Sequence, residues 1–76
     1  MLIKDSWIHT QRHKTAVYCD EIGDTNITKA KTAFIDGKEY SIIESEVLTS
    51  IAGNTNAVLL LDTSELIEFP QEIILQ

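Results

Sequence analysis

The chain has one cysteine, one proline and three glycines in 76 residues, and beyond Lys38 it has no lysine, arginine or histidine. Each scarcity excludes something. A lone cysteine cannot form an intramolecular disulfide, so the fold rests on a packed core rather than on cross-links. Structural zinc sites favour paired cysteines such as C-x₂-C, and that pairing is absent too. So little proline and glycine, with no repeated tract, argues against a linker or a disordered segment. Gly23, Gly37 and Gly53 stand alone and far apart, which rules out a glycine-rich phosphate loop. The longest apolar run, Ala57 to Leu61, is five residues, where a membrane-spanning helix needs about 20. The first residues, MLIKDSWIHT, lack the apolar centre of a secretory signal. Together with the single thiol this points to a reducing, cytoplasmic setting.

At 76 residues the sequence reads as one domain over positions 1–76. A chain this short buries only about 60% of the surface that its unfolded form exposes, so every large apolar side chain should be committed to packing. Its aromatics, Trp7, Tyr18 and Phe34 among them, are accordingly expected in the core.

The net charge of −6 is unevenly spread. All six basic residues lie in positions 1–38 beside five acids, giving +1, whereas positions 39–76 hold seven acids and no base, giving −7. Such asymmetry steers partners more than it shapes a fold.

The strongest local signal is Ile35-Asp36-Gly37-Lys38. An Asp-Gly pair between apolar segments suits the two positive φ angles of a tight hairpin turn, pairing roughly 28–35 with 38–44. Leu2 to His9 pairs with Thr15 to Ile22 across the HTQRHK loop, and Gly23 to Asn26 forms a second turn. That arrangement implies four strands in meander order before residue 45. Ala57 to Leu61, apolar throughout and flanked by turn formers, reads as a central strand. Glu72 to Gln76 follows Pro70 and reads as a terminal edge strand. Two segments admit helix as well as strand. Ser41 to Glu44 has capping-box spacing ahead of Val47, Leu48, Ile51 and Ala52, and Ser64 to Phe69 follows a similar box at Asp62 to Glu65. The expected order there is strand to about Glu46, then a short helix or turn to Gly53. The class is mainly β: a small antiparallel barrel or sandwich of five to seven strands with at most one or two short helices.

The stretch His9 to Cys19, HTQRHKTAVYC, holds both histidines and the cysteine. His9 and His13 have the i,i+4 spacing of helical zinc ligands. On a hairpin, however, Cys19 lies about 20 Å from His13 at 3.3 Å per residue, so the three cannot share one ion. No metal site or cofactor is expected. No nucleophile-elbow context surrounds any serine, and Glu44 with Glu46 is explained by a solvated strand face. The chain is therefore expected not to be an enzyme.

The leading functional expectation is a small non-enzymatic binding module acting through protein contacts, as an accessory, assembly or inhibitor-type protein. Its acidic half, through Glu44, Glu46, Glu65 and Glu68, would meet a partner with a basic surface. The terminal edge strand offers a route to a homo-oligomer. The alternative is an oligonucleotide-binding barrel using Lys4, Arg12, Lys14, Lys29 and Lys31 with exposed aromatics. Nucleic acid is disfavoured because phosphate binding draws its affinity from basic residues, which are few and confined to one half.

Overall fold

The computed structural model describes residues 1–23 and 26–76 of the chain. Three hairpins supply most of the architecture. The first joins β1 (Leu2–Ile8) to β2 (Thr15–Asp20). Its loop is tied by His9 N–H to the Lys14 carbonyl and His13 N–H to the His9 carbonyl, both at 2.8 Å. The second joins β3 (Thr32–Ile35) to β4 (Lys38–Thr49) through Asp36 and Gly37, whose φ angles of 50° and 75° make the expected tight turn. The third joins β4 to β5 (Thr55–Leu61) around Ser50 to Asn54. A last strand, β6 (Gln71–Leu75), completes the set, and one 3₁₀ turn at Ile27–Lys29 lies between β2 and β3.

All pairings are antiparallel and the sheet closes on itself in the order β1-β2-β5-β4-β3-β6. The fold is thus a six-stranded closed barrel. Several expectations are corrected here. The first four strands are not a meander, because β2 turns to β5 and β3 to β6. The terminal strand is not an edge, because β6 hydrogen-bonds to β1 on one flank and β3 on the other. That closure removes the free edge through which self-association was expected. Neither capping box starts a helix: Ser41 to Thr49 continues β4 three residues past Glu46, and Ser64 to Phe69 is irregular. The hairpin strand begins at Thr32 rather than 28, since Ile27 to Lys29 coils. Of the expected turn Gly23 to Asn26, Asp24 and Thr25 lie outside the described residues.

Two β-bulges let the barrel curl. Lys4 is the extra residue of β1, where the pairing jumps from Ile3↔Cys19 to Asp5↔Tyr18. Ile43 is the extra residue of β4, between Ile42↔Leu61 and Glu44↔Leu60. A bulge bends its strand and strengthens the local twist. In β4 it marks the corner where the strand leaves β3 and runs on beside β5.

The interior is filled by branched and small side chains with one tyrosine: Ile3 from β1, Val17 and Cys19 from β2, Ala57, Leu59 and Leu61 from β5, Tyr40 from β4, Ala33 and Ile35 from β3, and Ile73 from β6. The two barrel ends are stopped by loops. Ile67, on the β5–β6 connection, closes the end where β5 finishes, and Ile22 with Ile27 closes the other. Ser6 faces inward opposite Val17, its hydroxyl without a hydrogen-bond partner among the described residues.

Leu59→Ala, at a fully buried position on the central strand, is expected to cost about 2–5 kcal/mol in urea unfolding, whereas Ile51→Ser on the exposed β4–β5 turn should stay within about 0.5 kcal/mol. Ser6→Ala removes a buried hydroxyl without a partner, and should raise stability by about 1 kcal/mol in the same measurement.

Candidate functional site

The four-stranded wall β1-β2-β5-β4 presents an outer face that the alternation of inward residues does not explain away. Across it, Trp7, Ala16, Leu60 and Glu44 form one row of cross-strand neighbours, and Asp5, Tyr18, Val58 and Glu46 form the next. Each row is apolar in the middle and carries a carboxylate on its β4 side. The second row carries one on its β1 side as well. Ala16 and Leu60 point outward yet are only 2% and 6% exposed, while Trp7 is 39% exposed beside them. A recess of about 160 Å³ opens here, bounded by Trp7, His9, Ala16, Glu44, Glu46, Val58 and Leu60. Leu48, next outward on β4, extends the apolar strip.

The bulges create this face. In a regular strand Tyr40, Ile42, Glu44 and Glu46 would share one side, and so would Ile3, Asp5 and Trp7. The extra residue at Ile43 reverses the alternation, so Tyr40 is buried while Glu44 and Glu46 are exposed. The extra residue at Lys4 does the same in β1, turning Ser6 and Ile8 toward the interior and Trp7 outward. The expectation that the aromatics are core is therefore corrected for Tyr18, which stands half-buried in the second outward row, for Phe34, which alternates with buried Ala33 and Ile35 on β3, and for Trp7. Its alternation with Ile3 is genuine in the sequence and is broken by one residue that the sequence does not flag.

Glu44 accepts a hydrogen bond and ion pair from Arg12 of the β1–β2 loop. The loop is held for this by the Arg12 N–H donating to His9 Nδ1 at 3.2 Å. Glu46 has no ion-pair partner among the described residues, nor has Asp5, whose Oδ1 accepts from the Ser6 N–H at 2.8 Å.

Glu65 and Glu68 lie elsewhere, on the connection that crosses the barrel end. Lys38 Nζ donates to both Glu65 carboxylate oxygens at 2.9 Å, and the Tyr40 hydroxyl donates to Oε2 at 2.9 Å. The Thr15 hydroxyl donates to the Glu65 carbonyl, and Ser64 Oγ donates to the His13 carbonyl at 2.8 Å. The hydrogen bonds from Lys38 and then Tyr40 hold the Glu65 carboxyl below its ordinary range. The Glu65 hydrogen bond pushes the Lys38 ammonium up, while burial, followed by the hydrogen bond to Glu65, pushes the Tyr40 phenol up. A concavity of about 560 Å³ adjoins this group, lined by Ile67, Glu68, Phe69 and Pro70. Its central polar groups already satisfy one another, so Glu65 acts as a clamp fastening the connection and its Ile67 plug. The four glutamates expected to form one contact surface are thus two on the sheet face and two at the barrel end.

The basic residues are divided as well. Arg12 and Lys14 sit on the β1–β2 loop, in ion pairs with Glu44 and with Asp62 at 3.0 Å. Lys4, Lys29 and Lys31 belong to the first half of β1 and to the segment entering β3. His9 and His13 are at the loop and Cys19 is in the core, where burial pushes its thiol up to about 11.

Comparison with protein-family models, curated proteins and solved structures found no match to this chain.

The clamp gives a pH dependence with a defined sign. A carboxyl depressed in the fold contributes stability above its unfolded value, near pH 4, that is lost as pH falls through the folded value. A raised ammonium and phenol contribute stability below about pH 10 that is lost as pH rises through their folded values. Thermal unfolding of the native chain and of Glu65→Gln should differ most between about pH 5 and 9, with the gap closing in acid below pH 4. A gap independent of pH would mean that the carboxylate charge is not what fastens the loop.

Proposed function

We propose that this protein is a non-enzymatic binding module whose contact surface is the outer face of β1-β2-β5-β4. The observation that carries the reading is Trp7, the single tryptophan of the chain, standing outward beside a recess floored by Ala16 and Leu60. A large aromatic at the centre of a desolvated patch is the residue type that dominates binding energy in protein interfaces. A 76-residue chain that leaves its tryptophan outside forgoes burial it needs, and a partner covering the face would restore that burial. The carboxylates Asp5, Glu44 and Glu46 at the rim add orientation and exclude acidic partners.

Within this reading Glu44 and Glu46 are contact residues, while Glu65 and Glu68 serve the barrel end. Oligonucleotide binding is the weaker alternative. Trp7 and Tyr18 offer stacking surfaces, but the carboxylates beside them repel phosphate, and Arg12, the basic residue nearest the face, is already paired with Glu44.

Immobilised native protein and a Trp7→Ala variant of unchanged circular dichroism should be compared for the host proteins that they retain at physiological salt. The expected result is a partner held by the native chain and lost by the variant, with an affinity drop of at least tenfold, about 1.4 kcal/mol or more. Equal retention of every captured protein by both would rule this face out.

A further inference from the structure

The chemistry of the face specifies what it binds, an inference that rests on the contact surface proposed above. We infer that its occupant is a segment of another protein in which an apolar side chain is flanked by lysine or arginine.

Three features lead there. The middle of both rows is apolar, with Ala16 the smallest outward residue between Trp7 and Leu60, so there is room for an incoming aliphatic group beside the indole. The rims are negative on both sides: Asp5 stands on β1 and Glu44 and Glu46 on β4, about 14 Å apart across four strands at 4.8 Å spacing. A segment lying over the strip would bring charges on either side of its apolar residue to these carboxylates.

The third feature is the ion pair already present. Arg12 places a guanidinium on Glu44, which shows that the β4 rim accommodates a cation held against the edge of the apolar strip. Glu46 offers the same group two residues further along the strand, opposite Val58 instead of Leu60, and no cation of the described residues reaches it. Arg12 thus occupies, from within the chain, the kind of position that a partner's cation takes at Glu46. It also makes Glu44 the less available of the two. A partner's arginine must displace Arg12 to use Glu44, whereas it meets Glu46 free.

The single tryptophan reports directly on the strip. Native protein is titrated at low salt with three ten-residue peptides, alternating Lys-Leu, Glu-Leu and Lys-Ser, while Trp7 emission is followed. Only the Lys-Leu peptide should shift the emission to shorter wavelength, with binding that weakens as salt is raised. Glu46→Gln should weaken it about five- to tenfold. Glu39→Gln, an equal change of net charge about 20 Å away along β4, should leave it unchanged. Arg12→Ala should strengthen it by freeing Glu44.

A response to Glu-Leu or Lys-Ser equal to that of Lys-Leu would overturn the inference. So would a Glu39→Gln loss matching that of Glu46→Gln, because attraction would then be diffuse. If a host protein captured through Trp7 is retained undiminished by Glu46→Gln, the contact face stands and the charged-segment inference alone is lost.

Discussion

A six-stranded sheet that closes on itself has a narrow interior, filled here by small and branched side chains and one tyrosine, and it needs its strands bent to meet. The rest of this molecule follows from those two demands. Ala33, Ala57, Val17 and Cys19 are packed inside with the larger Leu59, Leu61, Ile3 and Ile73. The bending is supplied by one extra residue in each of β1 and β4. Closure also decides the charge distribution. With the interior apolar among the described residues apart from a few hydroxyls, the acids of the second half lie on the outside and at the ends.

Much of this was legible in the chain. The Asp36-Gly37 turn, the β1–β2 pairing and the central position of Ala57 to Leu61 all follow from local rules, because turn chemistry and strand composition act over a few residues. Leu59-Leu60-Leu61 carried further information. A run apolar at every position implies a strand covered on both sides, and Leu60 is indeed shielded although it faces away from the barrel interior. What was not legible depends on distant partners. Whether β6 ends a sheet or seals it is decided by β1 and β3, some 70 and 40 residues away. Whether Ser41 begins a helix is decided by Leu61, which offers β4 a ladder that the capping box cannot match.

The candidate site was half legible for the same reason. Glu44 and Glu46 were singled out by charge and belong to the face. Glu65 and Glu68 were singled out on the same grounds, but Glu65 is bound to Lys38 and Tyr40 and holds the plugging loop in place. Trp7 was assigned to the core because so short a chain is expected to bury its aromatics; strict alternation from Ile3 would put it there as well, but the extra residue at Lys4 turns it out. Side-chain alternation is a parity rule, and a parity rule fails completely rather than gradually when one residue is added.

That property makes Ile43 and Lys4 more consequential than their side chains suggest. Neither forms part of the apolar strip, and substituting either would change little about which residues line it. Deleting either is a different matter. Loss of Ile43 would let β4 run from Ile42 opposite Leu61 straight to Glu44 opposite Leu60, with Glu44 and Glu46 still facing outward but without the bend that turns the strand at this corner. Loss of Lys4 would likewise carry Ile3 opposite Cys19 directly to Asp5 opposite Tyr18, leaving Trp7 outside on a strand that no longer bends there. Single-residue losses at these two corners would therefore act on the curl that lets the sheet close, while the face bearing Trp7, Glu44 and Glu46 would keep its residues.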